Sequence, residues 1–184
     1  MYKRQNLNVV VFTGDGDLAA IGGNHFIHAC RRNIDLTVVC MNNQIYGMTG
    51  GQGSPTTPMG CLSSTTPFGC AEMPFDLCDL ATAAGANYVS RWTSYHVKEL
   101  EKAVKVGLET PGFSFIEALV QCPTAFGRRN KFRQVADHVE FLKSHSLLKA
   151  KRDRMLENRE KVPEDMFVVG ELTRRSRPAM GVKP

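Results

Sequence analysis

Two rhythms of hydrophobic and polar positions alternate along the chain. Residues 8–13 (N-V-V-V-F-T) form a short β-branched run that ends in Gly-Asp-Gly. That is the pattern of a buried parallel strand followed by a tight turn. Leu18, Ile21, His25/Phe26 and Ala29 recur at helical spacing and predict a helix over 18–32. Gly22 and Gly23 weaken its middle or mark the close approach of another backbone. Residues 36–41 (L-T-V-V-C-M) predict a second buried strand, so that the first three elements make a βαβ unit with a right-handed crossover. The long segment 42–74, rich in Gly, Ser, Thr and Pro, predicts a loop of the length that is usually functional or disordered. Beyond it come a helix over 76–84, a short strand over 88–91 and an amphipathic helix over 95–109. This last helix carries Val97, Leu100, Val104 and Leu108 on one face and is stopped by Pro111-Gly112. A further buried strand spans 113–120, a charged helix 142–158, and a poorly packed extension 161–184. The alternation predicts an α/β fold, a mostly parallel sheet with helices on both faces. Residues 1–142 read as one domain and 143–184 as a basic helical and extended tail.

Composition narrows the picture. At 184 residues with 42% hydrophobic content, the chain can bury a sizeable core. No run reaches the roughly 18 consecutive apolar residues of a bilayer span, and the start, 1–5, is polar, unlike a secretory signal. The expectation is a cytoplasmic protein with no membrane partner. The net charge of +5 is unevenly placed: residues 1–127 carry 8 Lys/Arg against 10 Asp/Glu, and residues 128–184 carry 15 against 8. A basic tail can serve a solvated face, an acidic protein or a nucleic acid. The spacings of nucleic-acid motifs are absent, so no nucleic-acid partner is expected. None of the six cysteines forms a C-x-x-C pair, so a zinc site is not suggested, and without a secretory signal a disulfide framework is not expected.

The candidate chemistry lies at strand ends. In open α/β sheets, ligands bind outside the carboxyl ends of the strands. Three special segments sit at such ends: Gly14-Asp15-Gly16, Asn42-Asn43 and Gln121-Cys122-Pro123. A diphosphate-bound Mg²⁺ needs about six oxygen ligands, and the protein must offer a carboxylate, neutral oxygens and a glycine-flanked backbone. Asp15 offers the carboxylate, Asn43 an amide oxygen, and a backbone carbonyl just beyond Asn43 could complete the set. A lone G-D-G or a lone Asn-Asn is ordinary turn sequence. The two together, 28 residues apart with a helix between them, are far more specific.

Gly14-Asp15-Gly16 followed by Asn42-Asn43 resembles the thiamine-diphosphate motif of thiamine-dependent enzymes. The fuller text I-G-G-N-H-F-I-H-A-C-R-R-N-I-D-L (21–36) and N-N-Q-I-Y-G-M-T-G-G-Q-G-S-P-T-T-P (42–58) is similar to the beta subunit of 2-oxoacid:ferredoxin oxidoreductases, and to the 2-oxoglutarate branch most closely. The similarity continues through P-F-D-L-C-D-L-A (74–81), G-F-S-F-I-E (112–117) and Q-C-P-T-A-F-G-R-R-N-K (121–131). The resemblance implies thiamine diphosphate and Mg²⁺ as cofactors, with Asp15, the side chain of Asn43 and the backbone carbonyl of Ile45 as metal ligands. It places Gly16 and Asp17 against the diphosphate and Gly47 and Met48 beside the cofactor, while Gly14, like Gly16, leaves no side chain beside the phosphates. Cys122 matches the last of four cysteines that hold a [4Fe–4S] cluster in the family.

The same resemblance implies the reaction: oxidative decarboxylation of a 2-oxoacid, transfer of the acyl group to coenzyme A, and electrons passed to ferredoxin. The companion alpha subunit carries the glutamate that activates the cofactor, so no catalytic residue is assigned to this chain. The family has a region before its first matched strand that holds the other three cluster cysteines, and the present sequence lacks it, which leaves Cys122 at an incomplete site. Two other readings stand beside this one, a fragment of a non-redox thiamine-dependent decarboxylase or synthase and a non-catalytic interaction subunit. His25 and His28 read as helix or core histidines, and Arg128-Arg129 as a solvated turn or a contact for a partner's carboxylates.

Overall fold

The computed structural model describes residues 7–132 and 134–181. The polar start over 1–5 and the last three positions of the expected extension lie outside them. β1 (Val10–Gly14), β2 (Leu36–Asn42), β5 (Tyr88–Thr93), β6 (Phe113–Leu119), β7 (Ser146–Leu148) and β8 (Phe167–Arg174) form one sheet in the order β1-β2-β6-β5-β8-β7. β3 (Ile45–Tyr46) and β4 (Gln52–Gly53) form a separate antiparallel pair inside the long loop. The pairs β1·β2, β2·β6, β5·β6 and β7·β8 are parallel, and β8 runs antiparallel to β5. The expected class, a mostly parallel α/β sheet, is the observed one.

Both faces of the sheet are covered. α2 (Gly23–Arg32) and α3 (Leu77–Ala84) bury Phe26, Cys30, Leu77 and Ala81 against Val38, Cys40, Phe113 and Phe115. The intervening strand positions Val39 and Ile116 face the other way, onto α4 (Val97–Glu109). This follows from the two-residue period of side chains along a strand. Burial pushes the Cys30 thiol up to about 12 and holds that of Cys78 well above the ordinary thiol range, as suits buried, unreactive sulfurs. The buried stripe of α4 differs from the expected one. Ala103 and Gly107 are its deepest residues, while Val97 is exposed. At Gly107 a Cβ would lie 2.9 Å from Ile116 Cδ1, and the Thr37 and Ser114 hydroxyls both donate to the Gly107 carbonyl at 3.0 Å. The helix rests on the sheet through its smallest residues, which turns Val97 outward.

Four expectations need correction. The helix expected over 18–32 is two helices, α1 (Asp15–Ala19) and α2, broken where Gly22 would bring a Cβ to 2.5 Å from the Asp17 carbonyl. β1 is parallel but not buried: it is the outermost strand, with Val11 40% and Phe12 71% exposed. The charged helix expected over 142–158 is divided into the end of α5 (Val135–Ser144), then β7, then α6 (Lys149–Glu157). Pairing of Leu147 with Val168 overrides helical propensity there. Finally, residues 167–174 are no loose extension but β8 of the main sheet, with Val169 fully buried. The chain after β8 is pinned by two asparagines. Asn33, in the left-handed region at φ 50° at the end of α2, donates to the Arg177 and Pro178 carbonyls, and Asn87 donates to Arg177 O at 2.9 Å.

One buried ionic group ties β5, β6 and α3 together. Arg91 Nε meets Glu117 Oε2 at 2.5 Å and its Nη2 meets Asp76 Oδ1 at 2.7 Å, Asp76 being the N-cap of α3. The side chains of Arg91 and Glu117 are 9% and 2% exposed, so neither charge is hydrated. Removing one partner of such a pair strands the other charge at a cost of about 3–5 kcal/mol, whereas replacing both by apolar groups is near neutral. Arg91→Leu should therefore lower unfolding stability in urea by about that amount, and Arg91→Leu combined with Glu117→Leu should recover part of the loss, the remainder being the Asn42 amide and Asp76 left without their partners.

Candidate cofactor site

The parallel register brings three loops to one end of the sheet. Gly14 lies opposite Met41, and Asn42 opposite Leu119, so the segments after β1, β2 and β6 emerge side by side. Between the first two opens a cavity of about 350 Å³. Gly14, Asp15, Gly16, Asp17, Asn43, Ile45, Gly47 and Met48 all line it, together with Ile21, Tyr46 and Thr49. Every cofactor-binding and magnesium position expected from the sequence thus faces a single space. Met48 is almost fully exposed at its edge, and Ile45 is buried.

Asp15 is 1% exposed. Its Oδ1 accepts from the Asn43 N–H at 3.3 Å, and its Oδ2 accepts from the Ser54 hydroxyl at 2.5 Å and the Thr56 hydroxyl at 2.7 Å. All these donors are neutral. Among the described residues no Lys, Arg or His forms an ion pair with it. A buried carboxylate without a counter-charge is costly, and a bound cation relieves that cost. Asn43 Oδ1 accepts from the Ile45 N–H at 3.2 Å and, with two lone pairs, keeps acceptor capacity for a metal. Gln44 sits in the left-handed region at φ 63°, which makes the tight turn that puts Asn43 and Ile45 on the same cavity. The described residues contain no group of three or more His, Cys, Asp or Glu side chains placed to hold a metal. A metal here would take one carboxylate and neutral oxygens from the protein and the rest from its ligand, the donor set that suits Mg²⁺ on a diphosphate. The residues present fit the group.

Gly16 has a role beyond admitting phosphate. A Cβ on it would fall 2.3 Å from Tyr46 Cε1, and the Tyr46 hydroxyl donates to the Gly16 carbonyl at 3.0 Å. Burial, followed by the charges of Asp15 and Asp17, pushes the Tyr46 hydroxyl up, which keeps it a donor. Gly14, by contrast, faces open space.

The third loop lies against the cavity wall. Cys122 is buried with Ile45, Ala125 and Phe126, and a Cβ on Gly47 would come 3.3 Å from its Sγ. A π-helical turn, Pro123–Gly127, follows it. Arg129 donates to the Ala125 and Gly50 carbonyls, stapling this turn to the 47–51 loop, while Arg128 is exposed. His25 and His28 are exposed on α2, and neither lines the cavity. Sequence reasoning passed over Tyr46, Ser54 and Thr56. The hydroxyl run S-P-T-T-P (54–58) was the signal for Ser54 and Thr56, and Tyr46 had none of its own.

Comparison with known proteins decides the family. Residues 2–118 match the model of the thiamine pyrophosphate enzyme, C-terminal TPP binding domain. The chain belongs to the thiamine pyrophosphate enzyme family. Within that family it is 54% identical over 175 residues to the 2-oxoglutarate synthase subunit KorB of Methanothermobacter thermautotrophicus, covering 95% of this chain and 60% of the relative. It is 60% identical over 144 residues to the KorB subunit of Methanocaldococcus jannaschii, covering 78% and 53%. Among solved structures, the 2-oxoglutarate:ferredoxin oxidoreductase from Magnetococcus marinus, with 2-oxoglutarate, coenzyme A and succinyl-CoA bound, superposes with a TM-score of 0.80 at 32% identity. That match covers 96% of this chain and 60% of the other. The chain therefore spans a little over half the length of these thiamine-enzyme relatives. The expected resemblance to the beta subunit of 2-oxoacid:ferredoxin oxidoreductases is borne out.

In this thiamine-enzyme domain the contact of Gly16 with Tyr46 leaves no room for a methyl group. Gly16→Ala should cost about 1–3 kcal/mol by overpacking. In a Tyr46→Ala background the same substitution should be nearly neutral, as chemical denaturation of the four proteins would register.

Proposed function

We propose that this chain supplies the thiamine diphosphate- and magnesium-binding part of the beta subunit of a 2-oxoacid:ferredoxin oxidoreductase, with 2-oxoglutarate as the 2-oxoacid. The observation that carries the reading is the buried Asp15 carboxylate, held among the described residues by neutral donors, on a cavity shared with Asn43, Ile45 and two glycine-bearing turns. The overall conversion takes a 2-oxoacid anion, coenzyme A and two oxidised one-electron ferredoxins to acyl-CoA, CO₂, two reduced ferredoxins and one proton, the last coming from the coenzyme A thiol. When bound, thiamine diphosphate supplies the electron sink that lets the carboxylate leave as CO₂.

The residues of this chain do the placing. Asp15, the Asn43 amide oxygen and the Ile45 carbonyl would hold Mg²⁺. The backbone of Gly14, Gly16 and Asp17 would lie along the diphosphate, and Gly47 and Met48 would border the cofactor. The activating glutamate comes from the alpha subunit, so the catalytic site is shared between two chains. Cys122 would supply one thiolate of a [4Fe–4S] cluster, for which the described residues offer no group of three or more metal-binding side chains, and ferredoxin would be the electron acceptor. The setting is cytoplasmic. No helix among the described residues is long and apolar enough to cross a membrane.

Calorimetric titration with thiamine diphosphate and Mg²⁺ tests the site. The wild-type chain should give a saturable heat that Asp15→Ala loses, and equal heats from both proteins would overturn the assignment. Purified alone, the chain should show no 2-oxoglutarate-dependent reduction of ferredoxin. Turnover without an alpha subunit would show that the activating group lies in this chain after all.

A further inference from the structure

We propose that Ser54 and Thr56 are positioning residues that set the orientation of Asp15, so that one of its oxygens, Oδ1, is reserved for the metal. The proposal rests on the reading of the site just given and adds to it a division of labour within one carboxylate.

The hydrogen-bond ledger carries the argument. Thr56 has a single hydroxyl proton and three acceptors in reach, Asp15 Oδ2 at 2.7 Å, Ser54 Oγ at 3.0 Å and Asn42 Oδ1 at 3.1 Å; the Ser54 oxygen is neutral and its own proton is directed to Asp15. Asn42 Oδ1 already accepts the Gln44 N–H at 3.0 Å, and the Asn42 amide donates to Glu117 Oε1 at 2.7 Å. Asn42 is thus held without Thr56, and the proton goes to the nearer, charged oxygen. The Ser54 hydroxyl has its shortest contact, 2.5 Å, with the same Oδ2. Ser54 Oγ in turn accepts the Thr56 N–H at 3.3 Å. Two charge-assisted bonds therefore end on Oδ2, while among the described residues Oδ1 takes only the longer 3.3 Å bond from Asn43 N. Oδ1 is the oxygen with free lone-pair capacity, and it lies on the Asn43 side, where the other expected metal ligand stands.

The two hydroxyls sit on a rigid mount. Thr57 Oγ1 accepts the Ser54 N–H at 2.8 Å and donates to the Gln44 carbonyl at 2.6 Å. This bolts the 54–57 turn to the left-handed turn that presents Asn43. Asp15, Asn43 and the hydroxyls are thereby fixed relative to one another before any ligand arrives. Neutral donors suit this task better than a Lys or Arg would. They fix the carboxylate's rotation yet leave its charge for the metal to neutralise. Outer partners of this kind commonly set metal affinity.

The test is the affinity of the full chain for metal in the presence of thiamine diphosphate. Mn²⁺ replaces Mg²⁺ and is read by electron paramagnetic resonance and water-proton relaxation, with Mg²⁺ as competitor. Thr56→Val and Ser54→Ala should each weaken metal binding about 10–100-fold, and Thr56→Ser, which keeps the hydroxyl, should bind like wild type. A merely structural role would lower thermal stability in Thr56→Val and leave metal affinity in the folded protein unchanged. Ser54→Ala removes one oxygen from a turn that Thr57 still anchors, so it keeps the test decisive should Thr56→Val fold poorly. Wild-type metal affinity in both hydroxyl-deletion variants, with Asp15→Ala failing to bind, would overturn the proposal and leave the site assignment standing. Failure of the wild-type chain itself to bind metal and cofactor would instead overturn the site assignment, and this proposal with it.

Discussion

The adjacency of β1, β2 and β6 in one parallel register is the constraint on which everything at the site depends. Parallel neighbours put their carboxyl ends on the same side. The loop after each strand therefore meets the loops after the other two, although they are far apart in sequence. Slipping β1 by one residue against β2 would rotate its side chains to the opposite face and move the Gly14-Asp15 turn away from Asn43. The packing of α2 and α3 on one face and α4 on the other keeps that register, because Val38 and Cys40 must face one layer and Val39 the other.

Two buried charged groups lie close to one another in the fold and are stabilised in opposite ways. Arg91 and Glu117 neutralise each other within the protein, and Glu117 also orients Asn42. Asp15 is surrounded by neutral hydrogen-bond donors. The first arrangement is complete in itself and serves the architecture. The second is complete only with a cation. Asn42 stands between them, bonded to Glu117 on one side and in reach of Thr56 on the other, so the structural pair steadies the wall of the ligand site.

What could be read in advance follows from how local each feature is. The strands, the Gly14-Asp15-Gly16 turn and Asn43 were legible because each is encoded within a few consecutive residues, and their meeting follows from parallel topology. Tyr46 over Gly16 and the Ser54 and Thr56 hydroxyls on Asp15 were not, because their partners depend on the path of a 33-residue loop with no periodicity. The exposure of β1 was missed for a different reason. An apolar run reads as buried wherever it falls, and only the strand order shows that β1 is outermost. β7 and β8 were hidden by the charged residues around them. Their pairing rests on Leu147, Val168 and Val169, too short a run to outweigh the helical pattern on either side.

The position of β1 has one more consequence. Among the described residues it pairs on one side only, so its other backbone edge has no strand partner there, and the Phe12 ring beside it is exposed. Such an edge is a template for another strand. The strand that leads into Asp15 is therefore also the one on which a further polypeptide can be grafted, and whatever extends the sheet there comes to lie one strand spacing, about 4.8 Å, from the backbone that aims the carboxylate. Growth of the sheet and accuracy of the ligand site are mechanically joined at that margin.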